Sequence, residues 1–394
     1  MRNLLTYSWK PASSIISPSF LQTWKRRNKP LGFLNPPEDG AIAEWEGILR
    51  RWQGRINDYC LLGIGGSALP ARALVTFFTG PMANVAGHGP AGRPRLWILD
   101  SVDPATMRRH PALEPSRLRR VLFHVVSKSG KTLEVAAIKN HILALLRKNG
   151  LKNWSENFLV TTSPEPGNPL EAWAHKYKIP ILPLANDIGG RFCSFSPVTY
   201  TAGSLLGLDL SAISHGAKEG GRDWTYALDY AQFLARHIRQ GKSLLGLFIY
   251  GDALSDFGDL LLQLFAESLG KDNKGITPLK FMGTKDQHSL LQLYLGGPKD
   301  KIVTILGLRQ NQAGPLARVL WASQEGVAKS LQTQGVPCRR LIINEHNERS
   351  WGYLVQFFHL ATIALGHLLK VNPFDQPMVE LQKKFTSQLL RTKT

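Results

Sequence analysis

Short apolar runs recur along the chain, and stretches of helical periodicity separate them. Runs at residues 59–64, 96–99, 121–126, 158–162 and 179–184 are each of strand length. Between them lie amphipathic segments such as 133–146, with apolar residues at every third or fourth position. Strand, helix and strand at this spacing predict a parallel sheet with helices on both faces. The pattern then restarts, with helical periodicity at 222–240, 260–269, 316–331 and 352–369 and apolar runs at 247–250, 301–306 and 340–343. The fold class is therefore α/β, with two parallel-sheet units in tandem. A chain of 394 residues suits two such units, since single cores stop growing near ~250–300 residues.

The glycines at 203, 207, 216, 220 and 221 mark a seam near 195–225. The expected domains are an N-terminal arm at 1–40, a first unit at 41–200, a second at 201–370 and a tail helix at 371–394. Residues 1–37 hold no acid and resemble a transit peptide in composition. Leu31-Gly32-Phe33-Leu34 followed by Pro36-Pro37 reads instead as chain docked on the body. No sequence-level repeat relates the two units, so any kinship between them is architectural.

The chain carries 48 Lys and Arg against 29 Asp and Glu, a net charge of +19. Such a balance suits an anionic partner: nucleic acid, a membrane surface or a phosphorylated metabolite. The basic residues, among them Arg117, Arg119, Arg120, Arg147, Lys148 and Lys152, lack the interleaved aromatics of nucleic-acid readers, so no nucleic-acid partner is expected. The apolar stretch 354–369 is interrupted by Gln356, His359, Thr362 and His367, so no membrane span is expected. His359 and His367 read as core or edge histidines. Three dispersed cysteines, Cys60, Cys193 and Cys338, argue against a disulfide framework or a cysteine zinc site and for a reduced, cytoplasmic setting.

Two turns at strand ends carry the chemistry. Gly63-Ile64-Gly65-Gly66-Ser67-Ala68 fits the loose dinucleotide fingerprint, but positions 83–88 lack the acid that such a site needs. What remains is a turn whose small residues let backbone N–H groups approach an anion at a helix start. Ser127-Lys128-Ser129-Gly130-Lys131-Thr132 imitates the end of a P-loop, yet Val125 stands where the first P-loop glycine belongs. A triphosphate site is excluded. Hydroxyls and ammonium groups on such a turn still suit a phosphate monoester.

Three further segments are ambiguous one at a time. Asp187-Ile188-Gly189-Gly190-Arg191-Phe192 is either a surface loop or a close backbone approach with a fixed cation. Glu267 ends an apolar helix, where a carboxylate is either solvated or tuned toward general-base work. His288, in a polar stretch, is either a structural histidine or an acid–base group.

Taken in order, these segments resemble the glucose-6-phosphate isomerase (phosphoglucose isomerase) family of bacterial type, over about residues 31–384. The most specific part is 267–299, with Glu267-Ser268-Leu269-Gly270-Lys271, Thr277-Pro278, Asp286-Gln287-His288-Ser289 and Gly296-Gly297-Pro298-Lys299. Asp187–Phe192 and Asn372-Pro373-Phe374-Asp375-Gln376-Pro377 are nearly as specific. The resemblance implies two sugar-isomerase (SIS) domains, a homodimer with shared active sites, and reversible conversion of glucose 6-phosphate to fructose 6-phosphate in glycolysis and gluconeogenesis. It implies no metal and no organic cofactor. By resemblance, Ser127, Lys128, Ser129 and Thr132 hold the phosphate, with Ser67 beside them. His288, contributed by the other subunit, and Lys383 serve ring opening. Glu267 moves the proton between C2 and C1, Arg191 stabilises the cis-enediolate, and Gln376 contacts the sugar.

The chain departs from the family at Lys131 and Val135, where threonines are usual, and at Pro70 and Met378, where glycines are usual. These departures bear on substrate affinity. Two other readings stay open on the sequence: a different SIS-type isomerase, acting for example on mannose 6-phosphate, and a non-catalytic sugar-phosphate binder. Retention of Glu267, His288, Arg191 and Lys383 together speaks against the binder.

Overall fold

The computed structural model describes residues 4–12, 17, 19–26, 30–82, 93–309 and 314–392. In chain order its strands are β1 (Leu5–Tyr7), β2 (Asp58–Leu62), β3 (Arg95–Leu99), β4 (Val121–Val126), β5 (Phe158–Thr162), β6 (Ile181–Pro183), β7 (Leu244–Tyr250), β8 (Thr277–Gly283), β9 (Lys301–Leu308) and β10 (Cys338–Ile343). They form two five-stranded sheets, ordered β3-β2-β4-β5-β6 and β1-β10-β9-β7-β8. Every pairing in the first sheet is parallel. Every residue of β2, β4 and β5 is buried, as helices on both faces of a parallel sheet require.

The second sheet repeats the first, with β7, β8, β9 and β10 in the places of β2, β3, β4 and β5. Its fifth position is filled differently. β1 pairs antiparallel with β10, Leu5 opposite Ile343 and Tyr7 opposite Leu341. The first residues thus serve as an edge strand of the distant sheet, with Leu5 and Trp9 buried beneath.

The other strand not foreseen is β8. Pro278 and Lys280 obscure its apolar pattern, and both are tolerated because β8 is an edge strand whose outer side makes no ladder bonds.

The glycines read as a seam do not form a linker. They lie in and between the helices Pro197–Leu206 and Leu210–Arg222. Gly207 closes the first of these in the left-handed region at φ 65°. A Cβ on Gly216 would lie 1.9 Å from the Arg349 carbonyl oxygen, and one on Gly352 1.9 Å from that of Ile213. Helix Leu210–Arg222 therefore packs backbone to backbone on Glu348–Leu369. The latter is long and apolar enough to cross a bilayer, but 89% of its most apolar window is buried inside the protein. His359 is buried within it and His367 stacks on Phe20, so both are packing residues. Cys60, Cys193 and Cys338 are free thiols.

Candidate active site

Arg191 organises the region between the two sheets. It lies in the 3-10 turn Gly190–Phe195 and is only 4% exposed. A buried guanidinium must be fully partnered, because stripping its water costs several kcal/mol. Nε donates to Ser268 Oγ at 2.9 Å and Nη1 to Gln376 Oε1 at 3.1 Å. Nη2 donates to the carbonyls of Pro373 and Asp375, each at 2.9 Å. Nη1 also lies 2.6 Å from Glu267 Oε1. Burial pushes the guanidinium below its ordinary value, and the Glu267 carboxylate pulls it back up.

Glu267 stands in the last turn of helix Ser255–Leu269, its side chain 28% exposed and so open to a small ligand. Gln263, one turn earlier on the same face, donates to Glu267 Oε2 at 2.9 Å. The carboxylate is thereby fixed through both oxygens. Gln263 Oε1 is buried without a hydrogen-bond partner among the described residues.

The glycine turn closes over this pair. A Cβ on Gly65 would sit 2.9 Å from Gln263 Nε2, and one on Gly66 would sit 2.2 Å from the Gly190 carbonyl oxygen. Close approach, not dinucleotide binding, explains the small residues there. Ser67 ends this turn, half-buried. On the far side, Lys271 pins the 372–376 turn, its ammonium 3.2 Å from Asp375 Oδ1 and bonded to the carbonyls of Ser268 and Asn372.

The Ser127–Thr132 turn follows β4 and is braced from below. Ser127 Oγ is hydrogen-bonded to Thr132 Oγ1 at 2.9 Å, and Thr162 Oγ1 donates to the Ser127 carbonyl at 2.7 Å. Gly130 takes φ +66°, and a Cβ there would lie 2.0 Å from Asn168 Oδ1, so the position admits only glycine. Thr132 precedes helix Leu133–Lys148 but makes no side-chain cap. The first N–H groups of this helix are thus left for an anion. Ser129 and Lys131 are exposed at the mouth. Val135 is buried in the core of the first unit.

Lys128 is placed differently from a simple phosphate ligand. Its ammonium donates to the carbonyls of Asn186 and Ile188, each at 2.9 Å. Burial lowers its pKa. It forms a strut between the phosphate-type turn and the segment carrying Arg191.

Two expected site residues are not gathered within the chain. His288 is exposed at the end of the 3-10 turn Lys285–His288. Among the described residues no hydrogen bond or ion pair joins it to Arg191, Glu267 or Gln376. Lys383 lies on the exposed helix Val379–Thr392, paired with Glu380 at 2.6 Å. Sequence reasoning also missed Gln263, Ser268 and Lys271. The four-residue spacing from Gln263 to Glu267 was the available signal for the first.

No protein-family model matches the chain. A glucose-6-phosphate isomerase of Rubrobacter xylanophilus is 32% identical over 388 residues, spanning 91% of this chain and 88% of the relative. One from Thermus thermophilus is 31% identical, spanning 91% and 90%. Among solved structures, a Thermus thermophilus protein described as hypothetical superposes with TM-score 0.81 at 29% identity, covering 94% of both chains. A glucose-6-phosphate isomerase of Chlamydia trachomatis shares the fold with TM-score 0.77 at 24% identity, covering 90% of this chain and 73% of the other.

Proposed function

The chain belongs to the glucose-6-phosphate isomerase family, and we propose that its Arg191–Glu267 pair carries the reversible conversion of glucose 6-phosphate to fructose 6-phosphate. The observation that carries this reading is the 2.6 Å contact between a buried guanidinium and a partly open carboxylate. An aldose–ketose shift takes a proton from C2 and returns it to C1, or the reverse. One fixed carboxylate beside both carbons suffices for that transfer. The intermediate is an enediolate, and a preorganised buried cation lowers its energy with no rearrangement at the moment of reaction. The phosphate is held by Ser127, Ser129, Thr132 and the open helix start, with Ser67 alongside. Gln376, already bonded to Arg191, faces the sugar. Anchoring the remote phosphate positions the reacting carbons, a source of effective molarities of ~10⁵ M or more.

Ring opening needs a second acid–base group. In this reading His288 of the partner subunit supplies it, and Lys383 joins it in a homodimer. The C-terminal helix supports such an assembly. Leu381, Phe385 and Leu389 form a stripe at four-residue spacing, each more than half exposed, and an apolar stripe of that kind calls for a covering surface. The free thiols accord with a cytoplasmic setting.

The test is a coupled assay of purified protein on fructose 6-phosphate, together with wash-out of a C2 deuterium from glucose 6-phosphate into water. Turnover with wash-out is expected. In Glu267→Gln both should fall by ~10²–10⁴ with KM little changed. Inactivity of the intact protein on both sugars overturns the reading.

A further inference from the structure

We propose that the second α/β unit holds a separate site for a small phosphate monoester, in the cavity between helix Pro315–Thr333 and the carboxyl ends of β7, β9 and β10. This site lies outside the Arg191–Glu267 centre and does not depend on its function.

Topology identifies the position. In open α/β sheets, ligands bind where the strand order reverses, outside the carboxyl ends of the strands. In the first sheet that point lies between β2 and β4, where the glycine turn and the Ser127–Thr132 turn face each other. In the second it lies between β7 and β9, with helix Pro315–Thr333 in the place of helix Leu133–Lys148. A cavity of about 550 Å³ opens beside it, under helix Pro315–Thr333, reaching from Tyr250 of β7 past Leu308 of β9 to Arg340 and Ile342 of β10 and Thr6 of β1. That volume is within the ~300–1,000 Å³ usual for small-molecule sites.

The lining favours an oxyanion. Arg309, Arg318 and Arg340 face the cavity against one carboxylate, Glu325. Glu325 is committed to Arg340. Among the described residues the Arg309 side chain bonds only the neutral Asn344 and Thr6 side chains, and Arg318 has no ion pair. Two guanidinium charges are therefore left over. Gly314 at the start of the helix offers no side-chain cap, so the first helical N–H groups add to the positive end.

A second, independent observation points to an occupant. Gln324 lines the cavity and is 6% exposed, and its Nε2 has no hydrogen-bond partner among the described residues. A buried amide donor left unpaired is costly, and a turn of this side chain toward the cavity would let a ligand oxygen satisfy it. The indole of Trp321, 61% exposed at the wall, offers a face for the organic part.

Hydrogen–deuterium exchange on the full chain tests this, with inorganic phosphate and glycerol 3-phosphate as probes. Each should slow exchange of amides 316–320 at least about threefold, saturably, with glycerol 3-phosphate acting at about tenfold lower concentration. Protection at 127–135 is read in the same experiment and reports the first unit separately. Arg318→Glu and Gln324→Leu should each abolish protection at 316–320 and leave that at 127–135 intact. Absent or non-saturating protection at 316–320 overturns the site, as does protection that survives both substitutions. Equal potency of the two probes overturns the monoester assignment.

Discussion

Arg191 and Glu267 come from opposite α/β units and meet at 2.6 Å. The guanidinium is clamped by the 372–376 turn, and the carboxylate is held through its other oxygen by Gln263. Both groups of the proposed centre are thus held by partners on more than one side. Catalysis by a fixed charge needs that preorganisation.

Arg191→Lys keeps the positive charge but cannot reproduce the fork that reaches Ser268, Gln376, Glu267 and two carbonyls together. We expect kcat to fall by ~10²–10³, the usual scale for losing a preorganised stabiliser of a developing oxyanion. Affinity for a competitive phosphate ligand should change little, because the phosphate turn is intact. Steady-state kinetics measures the first and inhibition by inorganic phosphate the second. A lysine variant with wild-type kcat would mean that charge alone, without geometry, is sufficient.

The two lysines of the phosphate-type turn should behave oppositely. Lys128→Met removes the bonds to the Asn186 and Ile188 carbonyls, loosening the segment that carries Arg191. A misplacement of reacting groups by ~1 Å costs up to ~10²-fold, so kcat should drop by about 10- to 100-fold. Lys131→Thr takes one exposed cation from the mouth of the site. It should raise KM by about two- to fivefold, less at high salt, with kcat nearly unchanged. The reverse pattern would assign the strut to Lys131.

The central strands were legible because full burial leaves unbroken apolar runs, as in β4 and β5. Edge elements were not. β8 carries Pro278 and Lys280, and β1 forms only by pairing with a strand more than 300 residues away. The glycines from 203 to 221 were visible, but whether a glycine marks a hinge or a close helix contact depends on what packs against it. The same limit applied to the candidate site. Each of Arg191 and Glu267 was ambiguous alone, and their contact spans two units that no local pattern connects. Lys128 could be read as a cation near a phosphate, but not as a strut, because its partners are carbonyls.

Helix packing gives a paired stability test. Gly352→Ala would drive a methyl to 1.9 Å from the Ile213 carbonyl oxygen, forcing two backbones apart. Overpacking of this kind costs ~1–3 kcal/mol despite the better helix propensity of alanine. Gly326→Ala lies in helix Pro315–Thr333, where a Cβ meets nothing within 4 Å. It should stabilise the protein by up to ~1 kcal/mol. Urea unfolding of both variants gives the signs, and equal effects would contradict the backbone contact.

Two buried histidines make stability fall toward acid. His124, in β4, lies between Tyr59 Oη at 2.7 Å and Thr161 Oγ1 at 2.8 Å. His359 sits among the rings of Phe33, Phe192 and Phe195. Burial lowers the pKa of each to about 3, from 6.5. Between those limits the unfolded chain binds protons that the folded protein refuses. Their contribution to stability is therefore complete above pH 6.5 and is lost as the pH falls from 6.5 toward 3. The slope is ~1.4 kcal/mol per pH unit for each histidine. Carboxylates titrate over part of the same range, so the clean measurement is a difference. His359→Leu removes one titrating group and an imidazole Nδ1 that has no hydrogen-bond partner among the described residues. Relative to wild type, the variant should gain ~1 kcal/mol in urea unfolding between pH 6.5 and 5.5, where the unfolded imidazole passes from half to almost fully protonated. Parallel pH curves for the two proteins would show that His359 takes up its proton as readily in the folded as in the unfolded chain and that its aromatic cage does not exclude the charge.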